Sequence, residues 1–158
     1  LRARLVDFLV GDWDRHSDQW RWARFKDGDR MRWDPIPRDR DWAFAHIDGL
    51  LRPLVGLYYP QYVNFAPDRL DVYGLAWASQ RVDRLLLASL DSGAFMKIAN
   101  EVSNTLSDSV LQKSVAVLPL SYRDAGNKLL TAMRNRRDKL VQAAADFYGM
   151  MARAPAIL

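Results

Sequence analysis

The spacing of apolar residues changes twice along the chain, and this change constrains the fold more than any other feature. Residues 1–10 repeat apolar side chains at helical spacing, and Gly11 follows where a helix would stop. From Gln19 to Trp33 apolar and polar residues alternate instead, on both sides of the turn sequence "KDGD". Helical spacing then returns from about residue 76. We therefore expect a mostly α-helical fold with one small β-hairpin.

The alternating stretch "QWRWARFKDGDRMRW" combines aromatic and basic side chains. Such a pattern is typical of a half-buried hairpin, and it also fits a platform on which single-stranded nucleic acid could stack. We favour the half-buried hairpin and do not expect a nucleic-acid partner, because the net charge of +4 is spread along the chain. Pro35 and Pro37 are expected to end the second strand.

Residues 46–75 are apolar but contain three prolines, which exclude a long helix and predict an irregular loop. We expect its aromatic residues to pack against the body of the domain; these are Tyr58, Tyr59, Tyr62 and Phe65. Residues 76–158 should form a helical bundle. Within it Ser92 and Ser107 are the expected N-caps, and one long helix should run from about Tyr122 to Arg153. The basic stretch "MRNRRDK" is expected on its solvated face.

Composition narrows the class of protein without identifying a function. At 158 residues, with 49% hydrophobic and 27% charged residues, the chain matches one globular domain. The absence of cysteine excludes disulfides and thiolate metal sites. No apolar run is long enough for a membrane span, and no signal peptide is evident. The chain opens in helical period without Met, so we expect it to be a piece of a longer protein.

Two acidic segments contain the candidate functional residues: "GDWDRHSDQW" before the hairpin and "PIPRDRDWAF" after it. Clustered aspartates repel one another unless a cation or an arginine relieves them. Hard cations such as Mg²⁺ prefer carboxylate and amide oxygens. Because the two loops that flank a hairpin lie at the same end of it, we expect Asp14 and Gln19 to approach Asp39 and Asp41.

This order resembles the active site of protein kinases, in which an Asp precedes an Asn as D-x-x-x-x-N and a second Asp follows a hairpin. Here Asp14, Gln19 and Asp39 take those places. The pair of segments resembles atypical kinase-like families: the spore-coat CotH-type kinases, the HipA-type kinases and the secretory-pathway casein kinases. "DRDWAF" resembles the D-x-D-x-x-F turn of the CotH type. The resemblance covers about residues 5–45, and Gln replaces the usual Asn.

The resemblance implies that residues 1–158 form one C-terminal lobe of a protein-kinase-like fold. Residues 1–45 would hold the catalytic loop, the hairpin and the metal-binding turn. An N-terminal lobe, with its Gly-rich loop and phosphate-binding lysine, is absent from these residues. The implied activity is phosphoryl transfer from ATP to a hydroxyl acceptor, dependent on Mg²⁺ or Mn²⁺, with the N-terminal lobe as a partner. The isolated half is expected to be inactive, and a location outside the cell or in its envelope is implied by the resemblance alone.

The resemblance also implies a role for each site residue. Asp14 would be the catalytic base, and Arg15 and His16 would brace the loop or screen charge on the transferred phosphoryl group. The implied metal ligands are Gln19 and Asp39, with Asp41 as an additional or supporting ligand.

Two alternatives remain open. In a non-catalytic pseudokinase or interaction module, the pairs Asp14–Arg15 and Asp39–Arg38 would only hold the loops together. A metal-assisted phosphohydrolase would use the same ligands and release free phosphate.

Overall fold

The computed structural model describes residues 1–50 and 52–153, and these form a mostly α-helical domain with one antiparallel hairpin. This confirms the predicted fold class. The described elements, in chain order, are α1 (Arg2–Val10), β1 (Trp20–Asp27), β2 (Arg30–Pro37), α2 (Arg52–Tyr58), α3 (Val72–Ala76), α4 (Gln80–Leu87), α5 (Ser92–Thr105), α6 (Asp108–Ala116), α7 (Arg123–Asp138) and α8 (Leu140–Arg153). No described helix is long and apolar enough to cross a membrane.

Helix α1 lies in the core, where the middle of its apolar stripe is buried. Leu5 and Phe8 are 0% exposed, and the Phe8 ring meets Phe147 of α8 edge to face at 5.0 Å between centroids. Gly11 ends the helix as predicted, with a φ of 75°. In this left-handed conformation its N–H donates to the Phe8 carbonyl, which is a common way to close a helix.

The hairpin has the predicted turn, since Gly28 and Asp29 connect Asp27 to its partner Arg30. Gly28 has a φ of 60°, which suits the first central position of a tight hairpin turn. The second strand continues through Pro35 and ends at Pro37. A proline is tolerated there because each strand of a two-stranded sheet is an edge.

The expectation of a half-buried hairpin is wrong. Trp20 at its base is buried, but Trp22 is 43% exposed and Trp33 is 55% exposed. The aromatic residues of the following loop are also divided. Tyr62 and Phe65 pack against the core, whereas Tyr58 and Tyr59 are exposed. The segment predicted to be an irregular loop, residues 46–75, contains the short helix α2 and most of α3.

The helical half differs from the prediction in two places, the start of α5 and the break between α7 and α8. Helix α5 is capped by Asp91 rather than Ser92, because the Asp91 carboxylate accepts from the N–H of Ala94 at 2.7 Å. Ser107 caps α6 as predicted. The single long helix expected up to Arg153 is two helices, α7 and α8, separated at Lys139. The continuous apolar spacing gave no sign of this break.

Arg136 of α7 is the buried cation that holds the C-terminal end of α1. It is 1% exposed, and its guanidinium donates to four carbonyls at 2.6–2.7 Å; these belong to Phe8, Leu9, Ala66 and Arg69. The expectation that the whole basic stretch is solvated is therefore wrong for Arg136. Burial lowers the pKa of Arg136 to about 10, so the group stays protonated at neutral pH. A cation at this position offsets the negative end of the α1 dipole.

We expect Arg136→Met to lower the free energy of unfolding by roughly 3 kcal/mol or more, because four buried carbonyls lose a charged donor. Urea denaturation followed by circular dichroism measures the change. Arg123→Met, which removes an exposed arginine from the start of the same helix, is the matched control and should change stability little. Equal effects of the two substitutions would contradict the anchoring role of Arg136.

Candidate functional site

The two acidic segments meet at the base of the hairpin. The N–H of Arg38 donates to the carbonyl of Gln19 at 2.8 Å, which extends the pairing of the strands by one step. The side-chain nitrogen of Gln19 lies 3.5 Å from a carboxylate oxygen of Asp39. Among the predicted metal ligands, the structure thus brings Gln19 and Asp39 together. They come from opposite sides of the hairpin, as the topology predicts.

Asp14 and His16 lie on the loop that precedes the hairpin. The Asp14 side chain is 27% exposed, and its carboxylate is 3.9 Å from Nε2 of His16. The other ring nitrogen of His16, Nδ1, accepts from the N–H of Asp18 at 3.3 Å. The described contacts do not join Asp14 to Asp39.

Asp39 occupies an unusual backbone conformation, with a φ of 50°. Aspartate and asparagine tolerate this left-handed region better than most residues do. Asp39 and Asp41 are both exposed, and the described hydrogen bonds do not include the Asp41 side chain. Three residues after Asp41 the turn is bound to the body of the domain, because the N–H of Phe44 donates to the carbonyl of Val10 at 2.8 Å.

The buried carboxylate of Asp7 holds these segments in place. Asp7 is 0% exposed, and its two oxygens accept hydrogen bonds from three arginines. Arg4 lies at 3.0 Å, Arg15 at 3.1 Å, and Arg40 donates through two nitrogens at 2.9 and 3.1 Å. Arg4 belongs to α1, Arg15 to the loop before the hairpin and Arg40 to the turn after it. One carboxylate therefore connects the helix to both acidic segments.

Arg15 is the second centre of this network. It is fully buried, pairs with Asp12 as well as Asp7, and donates to the carbonyls of Arg38 and Gln19. Two roles were predicted for Arg15, and bracing the loop fits these contacts. Screening charge on a phosphoryl group does not fit, because the Arg15 guanidinium is buried and already paired with Asp7 and Asp12. Within the described residues, Arg15 does not pair with Asp14.

The acidic segment is less exposed than its polarity suggests. Its backbone is a loop, as expected, except for a 3₁₀ turn at Ser17–Gln19 and the start of β1 at Trp20. Asp12 and Trp13 are nevertheless buried, and the Trp13 ring packs against Trp42 and Tyr62 at centroid distances of 4.6 and 5.0 Å. Burial raises the pKa of Asp12, although the guanidinium of Arg15 beside it acts in the opposite direction.

Arg4, Asp7 and Asp83 are structural residues that the sequence patterns did not single out. Arg4 also donates to Asp83 at 3.1 Å and to the hydroxyl of Ser79 at 2.7 Å, which extends the network to α4. A signal was present, because Arg4 and Asp7 lie three residues apart within an otherwise apolar helix. A charged pair on a buried stripe indicates a buried ion pair, but it does not reveal the partners from distant segments.

The ligand chemistry of the site is that of hard oxygen donors. Gln19 contributes an amide and Asp39 a carboxylate, with Asp41 two residues further along. Mg²⁺ and Mn²⁺ prefer such donors. In the part of the chain that the structure describes, there is no group of three or more histidine, aspartate or glutamate side chains placed to hold a metal ion.

Comparisons of the chain with protein-family models, with curated proteins and with solved structures found no match in any of the three. The kinase-like resemblance therefore depends on the residues and their spacing, and it stays a prediction.

We expect Asp7→Asn to lower the free energy of unfolding by about 3–5 kcal/mol, because three arginines lose a shared buried anion. Chemical denaturation provides the measurement. The matched control is Asp18→Asn, since the Asp18 side chain in the neighbouring loop is 89% exposed. A loss below about 1 kcal/mol for Asp7→Asn would show that the network is not a major source of stability.

The raised pKa of Asp12 predicts a pH dependence. The folded protein binds the Asp12 proton more tightly than the unfolded chain does. The stabilisation from this tighter proton binding is therefore complete below the pKa of Asp12 in the unfolded chain, about 3.8. It is lost as the pH rises through the pKa of Asp12 in the folded protein. In Asp12→Asn this loss cannot occur. The stability of the wild type relative to Asp12→Asn should decrease as the pH rises from about 3.5 to 7.

Urea denaturation of both proteins at several pH values in this range tests the prediction. The control is Asp29→Asn, which removes an exposed carboxylate from the hairpin turn and so measures the effect of losing one negative charge without losing a buried group. If the stability of the wild type relative to Asp12→Asn increased with pH instead, the prediction would be contradicted. The effect of Arg15, which lowers the pKa of Asp12, would then exceed the effect of burial, which raises it.

Proposed function

We propose that this chain is the C-terminal, catalytic half of a kinase-like phosphotransferase. It would transfer the terminal phosphoryl group of ATP to a hydroxyl acceptor, with Mg²⁺ or Mn²⁺ as the metal. The contact between Gln19 and Asp39 at the base of the hairpin is the observation that carries the proposal. Two polar residues that lie 20 positions apart, each in the place that the kinase order assigns to a metal ligand, are neighbours in the fold.

The residues of the site suit this chemistry. Gln19 offers an amide oxygen as well as the nitrogen that contacts Asp39, and Asp39 offers a carboxylate on an exposed turn, so both could hold a metal ion. Asp41 would support Asp39. When bound, the metal would neutralise charge on the phosphates of the nucleotide.

Asp14 is the candidate base. Its carboxylate is partly exposed, so an acceptor hydroxyl can reach it, and Nε2 of His16 lies 3.9 Å from one of its oxygens. In this role Asp14 would orient the hydroxyl and accept its proton as the phosphoryl group is transferred. His16 would position the Asp14 side chain.

Positioning would be the main contribution of the rest of the domain. The Asp7 network fixes the loop before the hairpin and the turn after it relative to α1. Groups that are held in place before the substrate binds need no reorganisation during the reaction. The Gly-rich loop and the phosphate-binding lysine would come from an N-terminal lobe in a longer parent protein.

A non-catalytic pseudokinase or interaction module is the second candidate function. The buried position of Arg15 favours it, because an arginine of the first acidic segment has a structural role. In this case the Asp7 network would preserve the shape of a binding surface, and Asp14 and Asp39 would have no ligand. A metal-assisted phosphohydrolase would share the ligands but would release phosphate without an acceptor.

Calorimetry of ATP binding with and without Mg²⁺, on the longest protein that contains these residues, separates the candidates. We expect Asp39→Asn to weaken metal-dependent ATP binding at least about tenfold, because the site loses a charged ligand. Asparagine is chosen because it tolerates the left-handed backbone at this position. Asp29→Asn removes an exposed carboxylate from the hairpin turn and should bind like the wild type.

Equal metal-dependent binding by the wild type and Asp39→Asn would contradict the assigned site. Absence of binding in both folded proteins would favour the pseudokinase or interaction module.

A further inference from the structure

The hairpin exposes large apolar side chains on both of its faces. Beyond the buried Trp20, the exposed fractions are 43% for Trp22, 46% for Phe25 and 55% for Trp33. Large exposed apolar surfaces on soluble domains commonly mark binding sites. A two-stranded hairpin is also only marginally stable without further packing, so a bound partner would stabilise it.

The strand register sorts the charges between the two faces. Alternation along β1 and the pairing with β2 place one set of side chains on a single face, which we call the indole face: Trp22, Arg24, Lys26, Met31 and Trp33. The indole face carries two cations and no carboxylate. The opposite face carries three arginines but also Asp27 and Asp34, and Arg32 pairs with Asp34 at 3.0 Å. The side chains of the indole face therefore sum to a charge of +2, and those of the opposite face to +1.

The arrangement of the indole face favours a ligand with flat rings and regularly spaced anions. Arg24 is directly opposite Trp33, and its guanidinium lies 5.9 Å from the Trp33 ring. Trp22 and Trp33 occupy diagonal cross-strand positions, which are roughly 7–8 Å apart in antiparallel sheets. Bases stack on aromatic side chains in proteins that bind single-stranded nucleic acid, while lysine and arginine contact the backbone phosphates.

We propose that the indole face binds single-stranded nucleic acid. One base stacks on Trp22 and another on Trp33, and Arg24 and Lys26 contact the phosphates between them. The competing interpretation of this stretch, a half-buried hairpin, does not hold because both tryptophans are exposed. The net charge of +4, which is spread along the chain, gave no support for a nucleic-acid partner, but Arg24 and Lys26 lie together on this face without a carboxylate. The proposal does not depend on the phosphotransferase function.

Two other anionic partners fit the hairpin less well. An anionic membrane surface would meet Asp27 and Asp29 at the turn, and the apolar side chains lie on both faces rather than on one. An acidic peptide would neutralise Arg24 and Lys26 but would leave the indole rings without flat partners.

Fluorescence anisotropy with a labelled single-stranded oligothymidylate or oligouridylate, in low salt and with the whole chain, tests the proposal. We expect Trp22→Ala and Trp33→Ala each to weaken binding about 5- to 100-fold. Phe25→Ala is the matched control, because it removes a similarly exposed aromatic ring from the opposite face and should leave the affinity unchanged. Circular dichroism confirms that each variant is folded.

Salt dependence provides a second readout. With two phosphate contacts, the logarithm of the binding constant should fall against the logarithm of salt concentration with a slope of about −1.4, and Lys26→Ala should reduce the slope to about −0.7. Asp39→Asn should bind the oligonucleotide like the wild type, which separates this surface from the proposed metal site.

Three results would overturn the proposal. They are no binding of either oligonucleotide in low salt, an equal loss of affinity in Phe25→Ala, or tighter binding to phosphatidylserine vesicles or polyglutamate than to the oligonucleotides.

Discussion

The carboxylate of Asp7 is the interaction on which the rest of the structure depends. An ionised carboxylate in a core costs several kcal/mol unless charged donors satisfy its lone pairs. Three guanidiniums do so here, from α1, from the loop before the hairpin and from the turn after it. Because removal of any one of these segments would take a charged donor away from this buried carboxylate, the helix and the two acidic segments stabilise one another.

The Asp7 network also explains how the backbone of the candidate site is held in place. Gln19 is half-buried and Asp39 is exposed, and both belong to connecting segments, which are normally the most mobile parts of a domain. Here Arg15 binds the carbonyls of Gln19 and Arg38 from below, and Phe44 fastens the end of the turn to α1. Buried arginines thus hold the backbone, while the carboxylates and the amide stay at the surface. A backbone that is fixed in this way suits a site that binds a ligand without rearranging.

Features set by local pattern could be predicted from the sequence, and features set by distant partners could not. The period of the apolar residues and the turn "KDGD" indicate α1 and the hairpin. The proximity of Gln19 to Asp39 follows from the topology, because both loops flank the same hairpin. The role of Arg136 was not predictable, since its partners lie as far as 128 positions away along the chain. Bracing of the loop by Arg15 was predicted, but its pairing with Asp7 of α1 was not. The exposure of Trp22 also depends on packing that periodicity does not report.

The most direct test of a metal site between the two acidic segments is paramagnetic broadening of amide resonances by substoichiometric Mn²⁺ in the presence of a non-hydrolysable ATP analogue. We expect the amides of Asp14, Gln19, Asp39 and Asp41 to broaden first, and Asp39→Asn to abolish this selectivity while the Asp7 network keeps the fold intact. Broadening distributed over exposed carboxylates elsewhere, such as Asp48 and Asp138, or unaffected by Asp39→Asn, would contradict a metal site at the base of the hairpin.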